Sequence, residues 1–96
     1  MAATSLQVSC VIQRPHHNPH ERVGFIGGVK ADGSRWRLPE LQAIMAIKAG
    51  TTHFFVTGAA KIHRIVVDRH GVREFLKTED DGDTPDILLS LPECPP

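Results

Sequence analysis

Apolar and polar residues alternate along two segments in the first third of the chain. Between positions 6 and 13 the period is close to two, as in a strand with one buried face, and its apolar members are Leu6, Val8, Cys10 and Ile12. Residues 23–29 are apolar but contain three glycines, which indicates a strand that bends or has another group close to its backbone. The loop between the two predicted strands, residues 14–20, holds two prolines that exclude both a helix and a sheet ladder.

Signals for a helix are concentrated in residues 39–49. Pro39 suits a first helical turn, Glu40 complements the positive end of the helix dipole, and Gly50 is the expected left-handed cap. The apolar positions have a period near 3.6 and form one stripe, made of Leu41, Ile44, Met45 and Ile47. The stripe predicts that this helix packs on one face of a sheet.

Three short runs after the helix are rich in β-branched or aromatic residues, and they cover residues 53–57, 62–68 and 72–77. We expect them to be strands, with His70 and Gly71 as a two-residue hairpin turn. Residues 78–86 are acidic and rich in turn formers, whereas residues 87–92 are too apolar to remain in water. The last segment is therefore predicted to dock on the rest of the protein.

These elements predict an α+β fold: a small antiparallel sheet of four or five strands, one helix packed on one face, and an extended C-terminal segment. The 96 residues are enough for one domain, 1–96, with an ordered core at 5–77, an acidic loop at 78–86 and a docked segment at 87–96. No apolar run is long enough for a membrane helix, so we expect no membrane partner.

The start of the chain lacks the basic and apolar regions of a secretory signal. We therefore expect a cytoplasmic protein. In that compartment Cys10 and Cys94 are expected to be free thiols, although a disulfide between them is the alternative.

Basic and acidic residues are separated along the chain. Residues 1–73 hold ten basic and four acidic residues, a net charge of +6, whereas residues 74–96 hold one basic and seven acidic residues, a net charge of −6. Such a division indicates either a surface for an anionic partner or a tail that lies on its own body. We favour the second interpretation.

One aromatic residue is flanked by cations, in Arg35-Trp36-Arg37. Together with Arg14 and Arg22 it predicts a basic platform that stacks bases and neutralises phosphates. The favoured alternative is that Trp36 is an anchor packed on the sheet and that its neighbouring arginines are simply exposed.

The first loop carries His16, His17 and His20, which are candidate metal ligands. Their spacing matches no structural zinc pattern, and Asn18-Pro19 excludes a helix that would bring His16 and His20 onto one face. A solvated polar loop is the favoured interpretation, and no cofactor is expected.

Catalytic signatures are weak. The glycines of residues 24–28 lack the order of a phosphate-binding loop, and no nucleophile is placed beside a base. We therefore expect that the protein is not an enzyme.

Several groups of residues taken together resemble a family of small, mostly bacterial proteins classed as a domain of unknown function. The resemblance runs over most of residues 5–95 and is most specific at the C-terminus, where the family reads Asp-Asn-Leu-Leu followed by Leu-Pro and a Cys. Here that pattern is Asp86, Leu88, Leu89, Leu91, Pro92 and Cys94, with Ile87 in place of the Asn. The resemblance implies a small α+β domain and transfers no catalytic residue.

Elimination leaves a non-catalytic interaction module as the leading hypothesis. It would hold a protein partner or a second copy of itself through an exposed sheet edge or through Leu88, Leu89 and Leu91. The same leucines would alternatively form an internal latch that covers a sheet edge or the helix. Weak nucleic-acid binding around Trp36 is the second hypothesis, and a metal site in the His16–His20 loop is the third.

Overall fold

The computed structural model describes residues 4–15, 17–58 and 61–95, and in these it contains seven strands. The strands are β1 (Thr4–Gln7), β2 (Cys10–Gln13), β3 (Val23–Val29), β4 (Arg35–Pro39), β5 (Thr52–Thr57), β6 (Ile62–His70) and β7 (Arg73–Thr78). The helices are α1 (Glu40–Ala49) and the short α2 (Asp86–Leu89), and a single 3₁₀ turn lies at Pro19–Glu21.

Two sheets replace the single sheet that the sequence predicts. One has the order β1-β5-β6-β7 with β1 parallel to β5, and the other is antiparallel with the order β2-β3-β4. The predicted α+β class is confirmed in coarse form, since the protein is mostly sheet with one main helix. The predicted single antiparallel sheet of four or five strands agrees only in part, because the strands form two sheets and β1 is parallel to β5.

The predicted first strand is in fact two strands because the chain changes partners in its middle. The N–H of Val8 donates to the Phe55 carbonyl at 2.8 Å, and the N–H of Ser9 donates to the Gly27 carbonyl at 2.9 Å. Successive N–H groups of an extended chain point to opposite sides, so neighbouring residues can serve different sheets. The alternation of apolar and polar residues continues through Val8 and Ser9, so it does not indicate that the chain changes sheets there.

The helix prediction is confirmed at its C-terminal end, and at its N-terminal end α1 begins one residue later than predicted, because Pro39 is the last residue of β4 and precedes the first helical turn. Gly50 has φ +74°, and its N–H donates to the carbonyls of Ala46 and Ile47. The apolar stripe is only partly buried, however: Ala43 and Ile44 enter the core, whereas Leu41 is 68% exposed and Met45 is 61% exposed. Fewer apolar residues of α1 therefore pack on the sheets than its apolar stripe predicts.

The core lies between the sheets and α1. Its buried members include Val8, Ile26, Ile44, Phe54, Ile65, Leu76 and Leu88. The hairpin of β6 and β7 turns at Gly71 and Val72, one residue after the predicted place, because His70 pairs with Arg73. Gly71 has φ +66°, a value that favours glycine at the first position of such a turn.

The C-terminal segment packs on the rest of the protein, and it is not extended throughout. Asp86–Leu89 forms one helical turn, and Glu93 then makes a parallel bridge with Val11. The N–H of Val11 donates to the Pro92 carbonyl at 3.0 Å, and the N–H of Cys94 donates to the Val11 carbonyl at 3.1 Å. The segment covers the open edge of β2 and is an internal latch in this structure.

Cys10 and Cys94 form a disulfide, so the expectation of free thiols is wrong. The bridge to Val11 brings the two Cα atoms to 4.8 Å, within the range that a disulfide spans. Sequence spacing gave no hint of this contact across 84 positions. Disulfides are typical of oxidising compartments. The cysteines therefore do not support the expected cytoplasmic location. Within the described residues no helix is long and apolar enough to cross a membrane.

Candidate functional site

A groove of ≈ 520 Å³ lies on the solvent-facing side of the sheet β2-β3-β4. Its floor is formed by the disulfide together with Gly28, Val29 and Trp36. One wall is the latch, through Pro92, Glu93 and Pro95, and the other is β4. The groove thus has an apolar floor and lies between two extended segments.

Gly27 makes the floor possible. A Cβ atom at this position would lie 3.0 Å from Cys94 Sγ, 3.1 Å from Cys10 Sγ and 2.8 Å from the Trp36 carbonyl oxygen. Only a residue without a side chain leaves room for the two sulfurs to lie against the sheet. One of the three glycines that indicated a close approach in β3 is therefore explained by the disulfide.

Two arginines line the β4 wall. Arg35 pairs with Val29 and Arg37 pairs with Gly27, so both side chains are on the groove face of the sheet and both are exposed. The Arg37 guanidinium lies 6.0 Å from the centre of the exposed Phe25 ring. Among the described residues, neither arginine has a carboxylate within 4.0 Å, and Glu93 across the groove is the one acid in the lining.

Trp36 belongs to the opposite face of β4, where it is an anchor. Its ring centre lies 5.6 Å from that of Phe54, and it packs against the core. Its Nε1 atom is buried without a hydrogen-bond partner in the part of the chain that the structure describes. The indole lies against Gly28, and Trp36, which is half-buried, is also one of the residues that line the groove.

The remaining members of the predicted basic platform lie elsewhere. The Arg14 side chain packs over Gly24 and lines a separate depression, close to Glu40 and Arg73. Arg22 donates to the Gln13 side chain at 2.7 Å, and Gln13 donates to the Leu89 carbonyl at 3.0 Å. The structure therefore brings Arg35, Trp36 and Arg37 together at the groove but leaves Arg14 and Arg22 away from it.

Leu88 is fully buried in the core, with 0% of its surface exposed, and Leu89 and Leu91 are partly buried against that core. A partner that used these three leucines would have to displace the latch. The part of the latch that is exposed is the part that forms one wall of the groove.

Of the predicted histidine loop, the structure describes His17 and His20. His16 lies outside the described residues, and His17 is exposed. His20 is buried and stacks on His70 with ring centres 3.8 Å apart, and its Nε2 atom lies 2.7 Å from the Asp83 carbonyl oxygen. Sequence reasoning missed His70 and Asp83, because no local pattern announces a contact across 50 or 63 positions.

Glu40 is a buried acid at the start of α1. Its carboxylate accepts from the Arg73 guanidinium at 3.0 Å and from the N–H of Leu76 at 3.2 Å. Burial raises the pKa of this carboxyl, against the opposing effect of the Leu76 hydrogen bond and of Arg73. Both contacts hold α1 against the free edge of β7, so the group is structural.

Comparison with known proteins identifies a family. The family model described as a protein of unknown function, DUF3892, matches residues 7–92. The chain matches no curated protein and no solved structure.

Proposed function

The chain belongs to the DUF3892 family of proteins of unknown function, and from its geometry we propose that it is a non-catalytic protein-interaction module. Its groove and the free edge of β4 would bind an extended, acidic segment of a partner protein. The observation that carries this proposal is the pair Arg35 and Arg37, two exposed cations side by side on an edge strand above an apolar floor.

The free edge of β4 supports an extended partner. β4 pairs with β3 on one side only, and none of the described residues pairs with its other side. Unpaired N–H and C=O groups of an edge strand form a template for one more strand. The opposite edge of this sheet, along β2, is already covered by the latch.

Charge supports an acidic partner. Arg35 and Arg37 are two positions apart in a strand, so their side chains leave the same face about 7 Å from each other. An added strand has the same period, and acidic residues at alternate positions would lie opposite the two guanidinium groups. Glu93 on the far wall would disfavour acidic side chains there and so limit how the partner lies.

Nucleic-acid binding is less well supported by this arrangement. The platform predicted for it is divided, with Arg14 and Arg22 away from the groove and Trp36 packed on Phe54. Trp36 is half-buried and the exposed Phe25 ring lies beside Arg37, so little aromatic surface is left for the base stacking that single-stranded nucleic-acid binding uses. It remains the second hypothesis, and the experiment below distinguishes it.

The test is an amide NMR titration with an eight-residue peptide that alternates Glu and Val, beside a peptide that alternates Lys and Val. We expect the Glu peptide to shift the amides of β4 and of the groove floor and the Lys peptide to have no effect. Arg37→Glu should weaken binding about tenfold, since it replaces an attraction of ~1 kcal/mol with a repulsion. Glu93→Gln should strengthen binding.

The matched control is Arg69→Glu, which reverses an exposed arginine on the central strand β6 away from the groove. It should bind the Glu peptide as the parent protein does. Equal weakening by both reversals would mean a nonspecific charge effect and would overturn the proposal. Binding of a single-stranded oligonucleotide at Arg35 and Arg37, with no binding of the peptide, would favour the nucleic-acid hypothesis instead.

A further inference from the structure

Three side chains from separate parts of the chain bring metal-binding atoms together beside the β6–β7 hairpin. They are His20 from the 3₁₀ turn, His70 from the end of β6, and Asp83 from the acidic loop, and one ligand atom from each lies within 4.8 Å of the other two. We propose that these three residues bind a divalent transition-metal ion of the zinc type. The site differs from the loop His16, His17 and His20 that the sequence suggests.

His20 is oriented as a metal ligand would be. Its Nδ1 atom lies 2.7 Å from Asn18 Oδ1, and the same oxygen accepts the backbone N–H of His20 at 3.0 Å. The second contact identifies the Asn18 atom as an acceptor, so Nδ1 carries a proton and donates it. In metal sites the non-ligating nitrogen of a histidine is held by a hydrogen bond of this kind. The lone pair of the neutral ring is then on Nε2.

The surroundings of Nε2 call for a cation. This atom lies 2.7 Å from the carbonyl oxygen of Asp83 and 3.7 Å from a carboxylate oxygen of the same residue. A lone pair on nitrogen would face lone pairs on oxygen at hydrogen-bond distance, which is repulsive unless a positive centre lies between them. A proton on Nε2 satisfies the carbonyl oxygen. A metal ion would also engage the carboxylate and the second imidazole.

The ligand types select the class of ion. Two imidazoles and one carboxylate suit zinc and its neighbours better than the hard ions calcium and magnesium, which prefer oxygen alone. Three protein ligands leave one tetrahedral position for water.

Bond lengths near 2.1 Å place the ligand atoms of such a site about 3.4 Å apart, so the longest separation in this cluster, up to 4.8 Å, would shorten by up to about 1.4 Å. The side chains that must move are accessible. The Asp83 side chain is 85% exposed, and His70 is exposed at the end of its strand. The His70 ring now lies parallel to the His20 ring, within 6°, and has to rotate to turn a nitrogen toward the ion. His20 itself is buried and already in place.

Thermal unfolding of the intact, disulfide-bonded protein with Zn²⁺ tests this proposal, and the disulfide removes both thiols as competing ligands. With Zn²⁺ at about 100 times its Kd, we expect Tm to rise by roughly 10 °C and to return to its starting value with EDTA. His70→Ala and Asp83→Asn, both at exposed positions, should fold and should lose this rise. His53→Ala, an exposed histidine on β5 outside the cluster, is the control and should keep it.

A second measurement examines His20 without mutating its buried ring. In ¹⁵N spectra of the imidazoles, Zn²⁺ should shift Nε2 of His20 and leave Nδ1 protonated. No rise in Tm, or a rise that survives in His70→Ala and Asp83→Asn, would overturn the proposal. An Nε2 signal that follows pH and ignores Zn²⁺ would also overturn it, and would identify the cation beside Asp83 as a proton.

Discussion

Among single residues, the buried acid Glu40 depends strongly on hydrogen bonds from its neighbours. Only 6% of its surface is exposed, and its two oxygens are held by Arg73 and by the N–H of Leu76. Removing a buried partner leaves the other groups without hydrogen bonds, which costs more than the bond itself contributes. We therefore expect Glu40→Ala to lower the free energy of unfolding by about 1–3 kcal/mol in urea denaturation. Glu79→Ala, at an exposed position, is the control and should change it little.

The pH dependence of stability provides a separate test of Glu40. Because burial raises its pKa above the ordinary value of 4.5, the folded protein binds this proton more tightly than the unfolded chain does. That contribution to stability is present below pH 4.5 and is lost as the pH rises through the folded pKa. Glu40→Gln does not titrate, so the variant should gain stability relative to the parent over this interval. Parallel profiles from pH 4 to 7 would contradict the assignment.

Among the elements, the latch is the one whose role depends most on a few side chains. α2 has only four residues and is too short to be stable alone, so its place depends on the burial of Leu88 and on the bridge at Val11. The same segment forms one wall of the groove. The element that closes the core therefore also shapes the proposed binding surface.

Leu88→Ala tests the latch. A fully buried leucine leaves a cavity when it is shortened, so the free energy of unfolding should fall by about 2–5 kcal/mol in urea denaturation. Leu41→Ala changes an exposed leucine on α1 and should have an effect below about 0.5 kcal/mol. The midpoint of the parent protein should not change on dilution, because the contacts lie within one chain. A midpoint that falls on dilution would show that the latch reaches a second copy.

For the molecule as a whole, the ends of the chain are joined twice, by the disulfide and by charge. Cys10 and Cys94 close a loop across 84 positions. The acidic loop lies on its own body, as the charge pattern favours: Asp80 contacts Lys61 at 2.8 Å and His63 at 2.6 Å, and Asp83 lies beside His20. Both connections hold residues 78–95 against the sheets.

Replacing both cysteines with serine should lower the free energy of unfolding by about 4 kcal/mol, because the unfolded chain regains the entropy of a long loop. Guanidinium denaturation measures the change, and mass spectrometry of the alkylated parent should find no free thiol. Two alkylated cysteines in protein purified without reductant would contradict the disulfide. Weaker binding of the Glu peptide by the double variant is also expected, because the sulfurs form the floor of the groove.

Asp80→Asn tests the electrostatic connection. The hydrogen bonds from Lys61 and His63 lower the pKa of Asp80 below the ordinary value of 3.8. Its contribution to stability is therefore present above pH 3.8 and is lost as the pH falls through the lower, folded pKa. The parent should be more stable than the variant at pH 7, and the two should converge toward pH 2.5 in urea denaturation. A difference that stays constant with pH would rule out this pairing.

Much of the local structure can be predicted from adjacent residues. The ends of α1 follow from Pro39, Glu40 and Gly50, and β3 has the bounds that its apolar run predicts. β4 is not among the predicted strands, although Arg35, Trp36, Arg37 and Leu38 have the period of a strand, because the segment is short and continues directly into Pro39 and α1.

Neighbouring residues are enough to derive most of the strands, the helix with its caps, the separation of charge and the apolar C-terminal segment. Propensity, periodicity and capping act over only a few positions. The division into two sheets, the disulfide, the groove and the cluster of His20, His70 and Asp83 could not be derived from neighbouring residues. Each depends on residues far apart in the chain, and their meeting depends on how the whole core packs and on which backbone groups remain to be paired. In this protein both candidate binding sites arise in that second way.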